Sequence, residues 1–504
     1  MKSVIYQLLP RLWNTGKFSG IDTGSLQYWK ELGVDYVWYT GIISHATTKR
    51  DEGCKPSHPQ IVKGAAGSPY AIKDYYDVNP YLADVPDNRM QEFLQLVSRT
   101  HEAGLKVLID FVPNHVSRDY FSQAAPAGVK SLGADDNPSV HWAPENDFFY
   151  YPGQPLRLPE PFTGSGYYEN PAKASGNCFS PAPALTDWYE TIKLNYCDFH
   201  TGTWDKMLEI VRFWARKGVD GFRCDMVELV PPAFMKWLIA RIKEEFPDII
   251  FVAEVYEKEK YPLYVNEVGF DLLYDKSGLY DTLRAVTCNG ASAKGISWNW
   301  QFLADLQPRM LNFLENHDEQ RIASAFFCGN PQAAYAALAV SLLLNTAPFM
   351  LYFGQEIGER GMDNEPFSGV NGRTSIFDWW TVDSLQRLHK WIRDHRTGLT
   401  AGEKAVLKRY RELLSLAKTP AFASGASFDL CYCQEPGRFN PDRHFAWLRS
   451  DGTRTFLLVA NFGEQADITV RIPPEALDYL RIKAVRTVYT LTVPARDYCL
   501  VEIH

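Results

Sequence analysis

Eight short apolar runs fall within the first 360 residues, and most are separated by helix-like patterns. This alternation constrains the fold more than any other feature of the chain. The runs are residues 4–8, 35–39, 106–111, 221–225, 249–255, 270–274, 310–314 and 348–353. Most are continuously apolar rather than alternating, as expected of strands buried on both faces. Between them, residues 88–103 place Met90, Phe93, Leu94 and Val97 at helical spacing, and 207–214 and 234–246 repeat the pattern. Gly104 and Gly218 follow two of these helices where a C-cap belongs. The pattern predicts an α/β fold, a closed (β/α)8 TIM barrel rather than an open doubly wound sheet. No G-x-G-x-x-G follows the first run, and phosphate-loop and nucleophile-elbow signatures are missing, so a dinucleotide domain has no support.

Two stretches leave the alternation. Residues 117–198 are rich in Pro, Gly, Asn and aromatics with little periodicity, too long for an ordinary loop. They predict an inserted domain after strand three. Beyond a helical pattern at 403–417, strand-like runs at 444–448, 455–462, 467–472, 487–493 and 498–503 predict a C-terminal antiparallel β-sandwich. The expected domains are therefore a barrel at 1–116 and 199–418, an insert at 117–198 and a β-domain at 419–504. Residues 333–353 carry no charge, but Asn345-Thr-Ala-Pro348 divides them into a buried helix and a buried strand, so no membrane span is expected. The charge balance, 52 basic against 60 acidic side chains, argues against a nucleic-acid partner. The first ten residues do not read as a signal peptide, because their apolar stretch is short and runs into Pro10 and Arg11. Nine cysteines, from Cys54 to Cys499, exclude a complete disulfide framework. They are expected to be mostly buried small hydrophobes, and with the absent signal they favour a cytoplasmic location.

The strand ends carry the chemistry. In a barrel the carboxyl ends open into one bowl, and catalytic groups come from several strands. Strand three ends in Asp110-Phe-Val-Pro-Asn114-His115, strand four in Arg223-Cys-Asp225, strand five in Glu254, and strand seven in Glu315-Asn-His317-Asp318. One such acid alone is usually a cap or a solvated loop residue. Together on predicted strand ends they suit glycoside cleavage, which in its retaining form needs a carboxylate nucleophile and a carboxylic acid about 5–5.5 Å apart. Neighbouring strands lie about 4.8 Å apart, so the ends of strands four and five meet that spacing. Arg223, two residues before Asp225 on the same face, is expected to depress the pKa of Asp225 as nucleophile. Apolar neighbours Phe251, Val252 and Val255 are expected to raise that of Glu254 as general acid/base.

These residues resemble the alpha-amylase family, glycoside hydrolase family 13. Its four conserved regions are matched in order by residues 110–116, 221–229, the run around Glu254, and 313–318, with Tyr352-Phe-Gly-Gln-Glu356 after strand eight. The resemblance implies a retaining alpha-glycoside hydrolase acting on alpha-glucans or maltooligosaccharides, with no cofactor required for the chemistry. It implies Asp225 as nucleophile, Glu254 as acid/base, and Asp318 as the third acid, which binds sugar hydroxyls and favours the oxocarbenium-like transition state. Arg223 matches the arginine supporting the nucleophile, His115 and His317 match histidines that hydrogen-bond the cleaved sugar, and Tyr70 matches a tyrosine that stacks on it. Asn114 matches a donor to a structural calcium, for which the Leu229 carbonyl could be a second ligand. The chain departs from the family where many members carry a basic residue and a histidine on the leaving-group side; here Glu228 and Leu229 stand in those places. Starch endohydrolysis is therefore not implied. The alternatives are a transglycosylase or a sucrose- or alpha-glucoside-active enzyme with the same chemistry and, from a different class, a non-catalytic sugar- or partner-binding barrel. Trp298 and Trp300 are expected on a loop near the bowl, where they would stack on sugar or pack against the insert.

Overall fold

The computed structural model describes residues 2–50, 55–162, 166–395, 397–482 and 486–504. Its centre is a closed barrel of eight parallel strands: β1 (Val4–Leu8), β2 (Tyr36–Tyr39), β3 (Lys106–Phe111), β4 (Gly221–Cys224), β5 (Ile250–Ala253), β6 (Leu272–Tyr274), β7 (Met310–Phe313) and β8 (Phe349–Tyr352). Each strand pairs with its sequence neighbours, and β8 closes onto β1 with Val4 opposite Phe349. The strands coincide with the eight apolar runs, and nearly every residue in them is buried.

Helices wrap the barrel with one apolar face each. Gly202–Arg216 buries Trp204, Met207, Leu208, Val211 and Trp214, while Pro232–Glu245 buries Phe234, Met235, Leu238 and Ile242. Each such side chain withdraws from water at a gain of about 1.5–3 kcal/mol. Gly104 and Gly218 sit just past helix ends at φ +73° and +87°, the left-handed conformation that a C-cap requires. The uncharged stretch divides as expected, into a wholly buried helix at Tyr335–Leu343 and strand β8. Among the described residues no helix is long and apolar enough to cross a membrane.

Some strands escape the sequence pattern. Ile43–His45 pairs antiparallel with Ile72–Val78, with bulges, between β2 and helix Arg89–Glu102. The insert has little regular structure. It leaves and rejoins the barrel through one short antiparallel pair, His115–Ser117 with Thr191–Lys193.

At the C-terminus β9 (Ala426–Asp429), β10 (His444–Ser450), β11 (Thr455–Asn461) and β14 (Tyr498–Glu502) form an antiparallel sheet. A ribbon of β12 (Ala466–Arg471) and β13 (Val488–Val493) packs over it. Leu448, Leu457 and Val459 from the sheet meet Ile468, Val470 and Val493 from the ribbon in one core. Alternate residues of the same strands, Phe445, Trp447, Phe456 and Leu458, join the barrel core instead.

Two expectations are corrected. Of the eight described cysteines, all free, only Cys197 and Cys224 are buried, so the set is mostly half-buried surface rather than core; Cys54 lies outside the described residues. Trp298 and Trp300 lie on a helix, Lys294–Leu303, and line a cleft with Phe428, Tyr432 and Tyr479 of the C-terminal region, away from the bowl.

Candidate active site

Strand register delivers the acids. Arg223 pairs with Val252 and Cys224 with Ala253, so Asp225 and Glu254 emerge side by side one residue beyond β4 and β5. The Asp225 backbone N–H donates to Phe111 O at 2.8 Å, and that of Glu254 donates to Cys224 O at 3.2 Å. Both side chains close onto Arg223, whose Nη1 lies 2.6 Å from Asp225 and whose Nη2 lies 2.8 Å from Glu254. The guanidinium is itself boxed by the rings of Trp38, Tyr70 and Tyr274, at 5.5, 5.3 and 5.5 Å. Asp318 is positioned by Asn316, whose side-chain oxygen accepts the N–H groups of Asp318 and Glu319 at 2.8 and 2.9 Å.

The other sequence-predicted groups converge here too. The Tyr70 hydroxyl lies 2.7 Å from His317 Nε2, and the two rings stack at 5.3 Å. Gln7 holds the opposite ring nitrogen of His317 at 2.8 Å. His115 packs against Trp188 at 5.1 Å. Burial, with Arg223 nearby, holds His317 well below the ordinary histidine range, and burial beside Lys193 and Lys63 pushes His115 down to about 3. Both imidazoles are thus neutral near pH 7, able to donate and accept at once. A cavity of about 570 Å3 at the barrel mouth is lined by Tyr70, His115, Asp225, Glu254, His317 and Asp318.

The electrostatics differ from the sequence expectation. Arg223 does touch Asp225, yet burial outweighs it and, with Glu254 and Asp318 adding, raises Asp225 well above the ordinary carboxylate range. Desolvation in the bowl, then Glu254, raises Asp318 above the ordinary carboxylate range, a shift tempered by the 44% exposure of its side chain. Asp225 and Asp318 thus hold a proton more readily than a free carboxyl does. Nor is the Glu254 carboxyl in an apolar setting. Besides Arg223 it accepts from the Tyr256 hydroxyl at 2.8 Å and from Met226 N–H at 3.0 Å. Met226 makes that bond from a left-handed conformation, φ +44°, which costs a non-glycine residue about 1–2 kcal/mol.

Several wall residues have no signal in the sequence: Lys63, Trp188, Glu190, Tyr256, Arg373 and Phe377. Lys63 and Glu190 form an ion pair at 2.8 Å on the insert side. They come from segments without periodicity, and only chain closure brings them together. Glu228 does not line the cavity: its carboxylate accepts the N–H groups of Tyr256 and Glu257 at 2.7 and 3.2 Å, bracing the loop after β5. Where the family resemblance leads one to expect a basic residue and a histidine, this chain thus has an acid that braces the loop carrying Tyr256.

The calcium expectation does not fit these residues. The Asn114 side-chain oxygen and the Leu229 carbonyl, the two oxygens expected to bind the ion, both accept from the amine of Lys193, the latter at 2.7 Å.

An eight-stranded parallel barrel with an acid-lined bowl at the carboxyl ends of its strands defines a (β/α)8-barrel enzyme. More narrowly, the chain belongs to the alpha-amylase family, whose catalytic-domain model (Alpha amylase, catalytic domain) matches residues 11–417. Similar proteins include the glucan 1,6-alpha-glucosidase of Streptococcus dysgalactiae subsp. equisimilis, 22% identical over 93% of this chain and 92% of that one. Alpha-amylase 3 of Dictyoglomus thermophilum is 24% identical over 71% and 68%. Among solved structures, the cyclic alpha-maltosyl-(1→6)-maltose hydrolase of Arthrobacter globiformis shares the fold with a TM-score of 0.65 at 18% identity, covering 99% of this chain and 98% of that one.

Proposed function

We propose that the protein is a retaining hydrolase of alpha-glucans or maltooligosaccharides. The observation that carries this reading is the single Arg223 guanidinium shared by Asp225 and Glu254. Two carboxyls that both meet one guanidinium lie close together, which favours the short arrangement of retaining enzymes (about 5–5.5 Å), in which the second acid is the nucleophile, over the wider gap that admits a water. The reactive form has Asp225 ionised and the proton on Glu254; in the first step an Asp225 oxygen forms a bond to the anomeric carbon. The glycosidic C–O bond breaks, and Glu254 passes its proton to the departing oxygen. In the second step Glu254 takes a proton from water, the hydroxide oxygen bonds to the anomeric carbon, and the Asp225–sugar bond breaks. Asp318 faces the cavity to bind sugar hydroxyls, His115 and His317 donate to the bound ring, and Tyr70 offers it an aromatic face.

The test is product analysis with maltoheptaose, pullulan, isomaltooligosaccharides and sucrose, with Asp225→Asn as control. Shorter oligosaccharides released as the α-anomer, with turnover lost by more than about a thousandfold in Asp225→Asn, are the expected outcome. Products longer than the substrate would move the reading to a transglycosylase, and an unchanged rate in Asp225→Asn would overturn the nucleophile assignment.

A further inference from the structure

Lys193 sits on the return strand of the insert, 8% exposed, and takes no part in the chemistry above. Its amine bridges two loops: it donates to the side-chain oxygen of Asn114, after β3, and to the carbonyl of Leu229, after β4. Three segments distant in sequence therefore meet at one nitrogen. Asn114 is fixed for this partner, because its amide nitrogen donates to Gly176 O at 2.9 Å and so aims the oxygen at the lysine. Around this point lie neutral oxygens, and among the described residues no carboxylate forms an ion pair with Lys193. Calcium carries twice the charge of a lysine ammonium and takes six to eight oxygens, usually including carboxylates. Here it would meet two neutral oxygens already engaged by a lysine.

We infer that Lys193 is a built-in replacement for a bridging cation, tying the insert to the loops after β3 and β4 without metal. Its neighbours give the tie a consequence at the site. Asn114 precedes His115, and Thr191 N–H donates to Trp188 O at 2.9 Å, so the clamp holds both rings of that cavity wall. Lys193 is thus a positioning residue.

The experiment uses the whole chain, and its calcium and proteolysis measurements do not require knowledge of the substrate. Scanning calorimetry and titration with CaCl2 or EDTA should show a melting temperature unchanged within about 1 °C and no binding heat. Micromolar calcium binding that Asn114→Ala abolishes, or a melting temperature lowered by EDTA, would overturn the inference. Lys193→Met keeps the apolar stem and removes the donor. It should speed proteolytic cutting within 117–190 at least tenfold and raise KM for maltoheptaose more than it lowers kcat. Unchanged cutting in that variant would also overturn the inference. Should Lys193→Met fail to fold, the calcium measurements on the native chain and on Asn114→Ala decide alone.

Discussion

Tyr256 is the residue whose removal would say most about the acid beside it. Its hydroxyl donates to one Glu254 oxygen, and burial with Glu254 alongside raises its pKa far above neutrality, so the donor is permanent. A hydrogen bond to a charged group contributes about 1.5 kcal/mol, roughly a tenfold rate effect if it is felt only during proton transfer. Tyr256→Phe should therefore lower kcat/KM about tenfold on maltooligosaccharides and far less on a 4-nitrophenyl glycoside, whose leaving group needs little protonation. Equal losses on both substrates would mean that the hydroxyl acts on binding and not on the acid. Asp275, outside the cavity, tests burial without catalysis. It is 1% exposed, its Oδ2 accepts from Asn299 at 3.1 Å, and burial raises it to about 6. An acid raised on folding contributes stability that is full below its unfolded pKa of about 3.8 and is lost as pH rises through about 6, a change on the order of 3 kcal/mol. The melting temperature of Asp275→Asn relative to wild type should accordingly climb between pH 4 and pH 8, measured by calorimetry. A constant difference would show that ionising this carboxyl costs nothing.

Among the elements, helix Ala401–Ala417 offers the cleanest local test. Thr400 and Glu403 cap it reciprocally, with Glu403 N–H donating to Thr400 Oγ1 at 3.2 Å and Thr400 N–H to the Glu403 carboxylate at 2.8 Å. Thr400→Ala should cost about 1 kcal/mol, read as a fall in the urea midpoint with an unchanged slope. Element type was legible in the sequence wherever burial is two-sided: most of the eight barrel strands are continuous apolar runs, and the acids of β4, β5 and β7 fall on the strand ends they mark. The hairpin strand Ile72–Val78 was not legible. Its Lys73, Asp74 and Asp77 look like loop residues, yet Asp77 pairs with Arg89 at 2.7 Å and Asp74 accepts the Ala124 N–H, fifty residues on, at 2.8 Å. Long-range partners bury these polar groups, and no window of neighbouring residues reports such partners. Trp298 and Trp300 failed for the opposite reason, since an aromatic pair in sequence does not say which of two surfaces it faces. At the site, the sequence named the groups but not their protonation, which depends on how many carboxyls one arginine must serve.

At the scale of the whole molecule, the C-terminal sheet is part of the barrel's support. Trp447 is fully buried and its indole N–H donates to Leu343 O at 3.3 Å, while the buried Arg449 donates to the carbonyls of Ala421 and Phe422 at 2.9 and 2.8 Å. The buried helix Tyr335–Leu343 thus has the barrel on one side and this sheet on the other. A chain ending at residue 418 would leave that apolar helix uncovered. It is expected to aggregate or to lose near-ultraviolet circular dichroism, and a soluble, cooperatively melting 1–418 fragment would contradict the shared core. The route of the insert has another consequence. The chain departs at His115–Ser117 and returns at Thr191–Lys193, and these two stretches pair with each other. Everything between them can vary in length and sequence while the entrance and exit stay clamped together, and the three acids, all on other strands, keep their places. Trp188 and Glu190 ride on that variable piece, and Asp225, Glu254 and Asp318 do not. The molecule therefore mounts one wall of its cavity apart from its three acids: a descendant could exchange that cassette and reshape the wall without disturbing the strand ends.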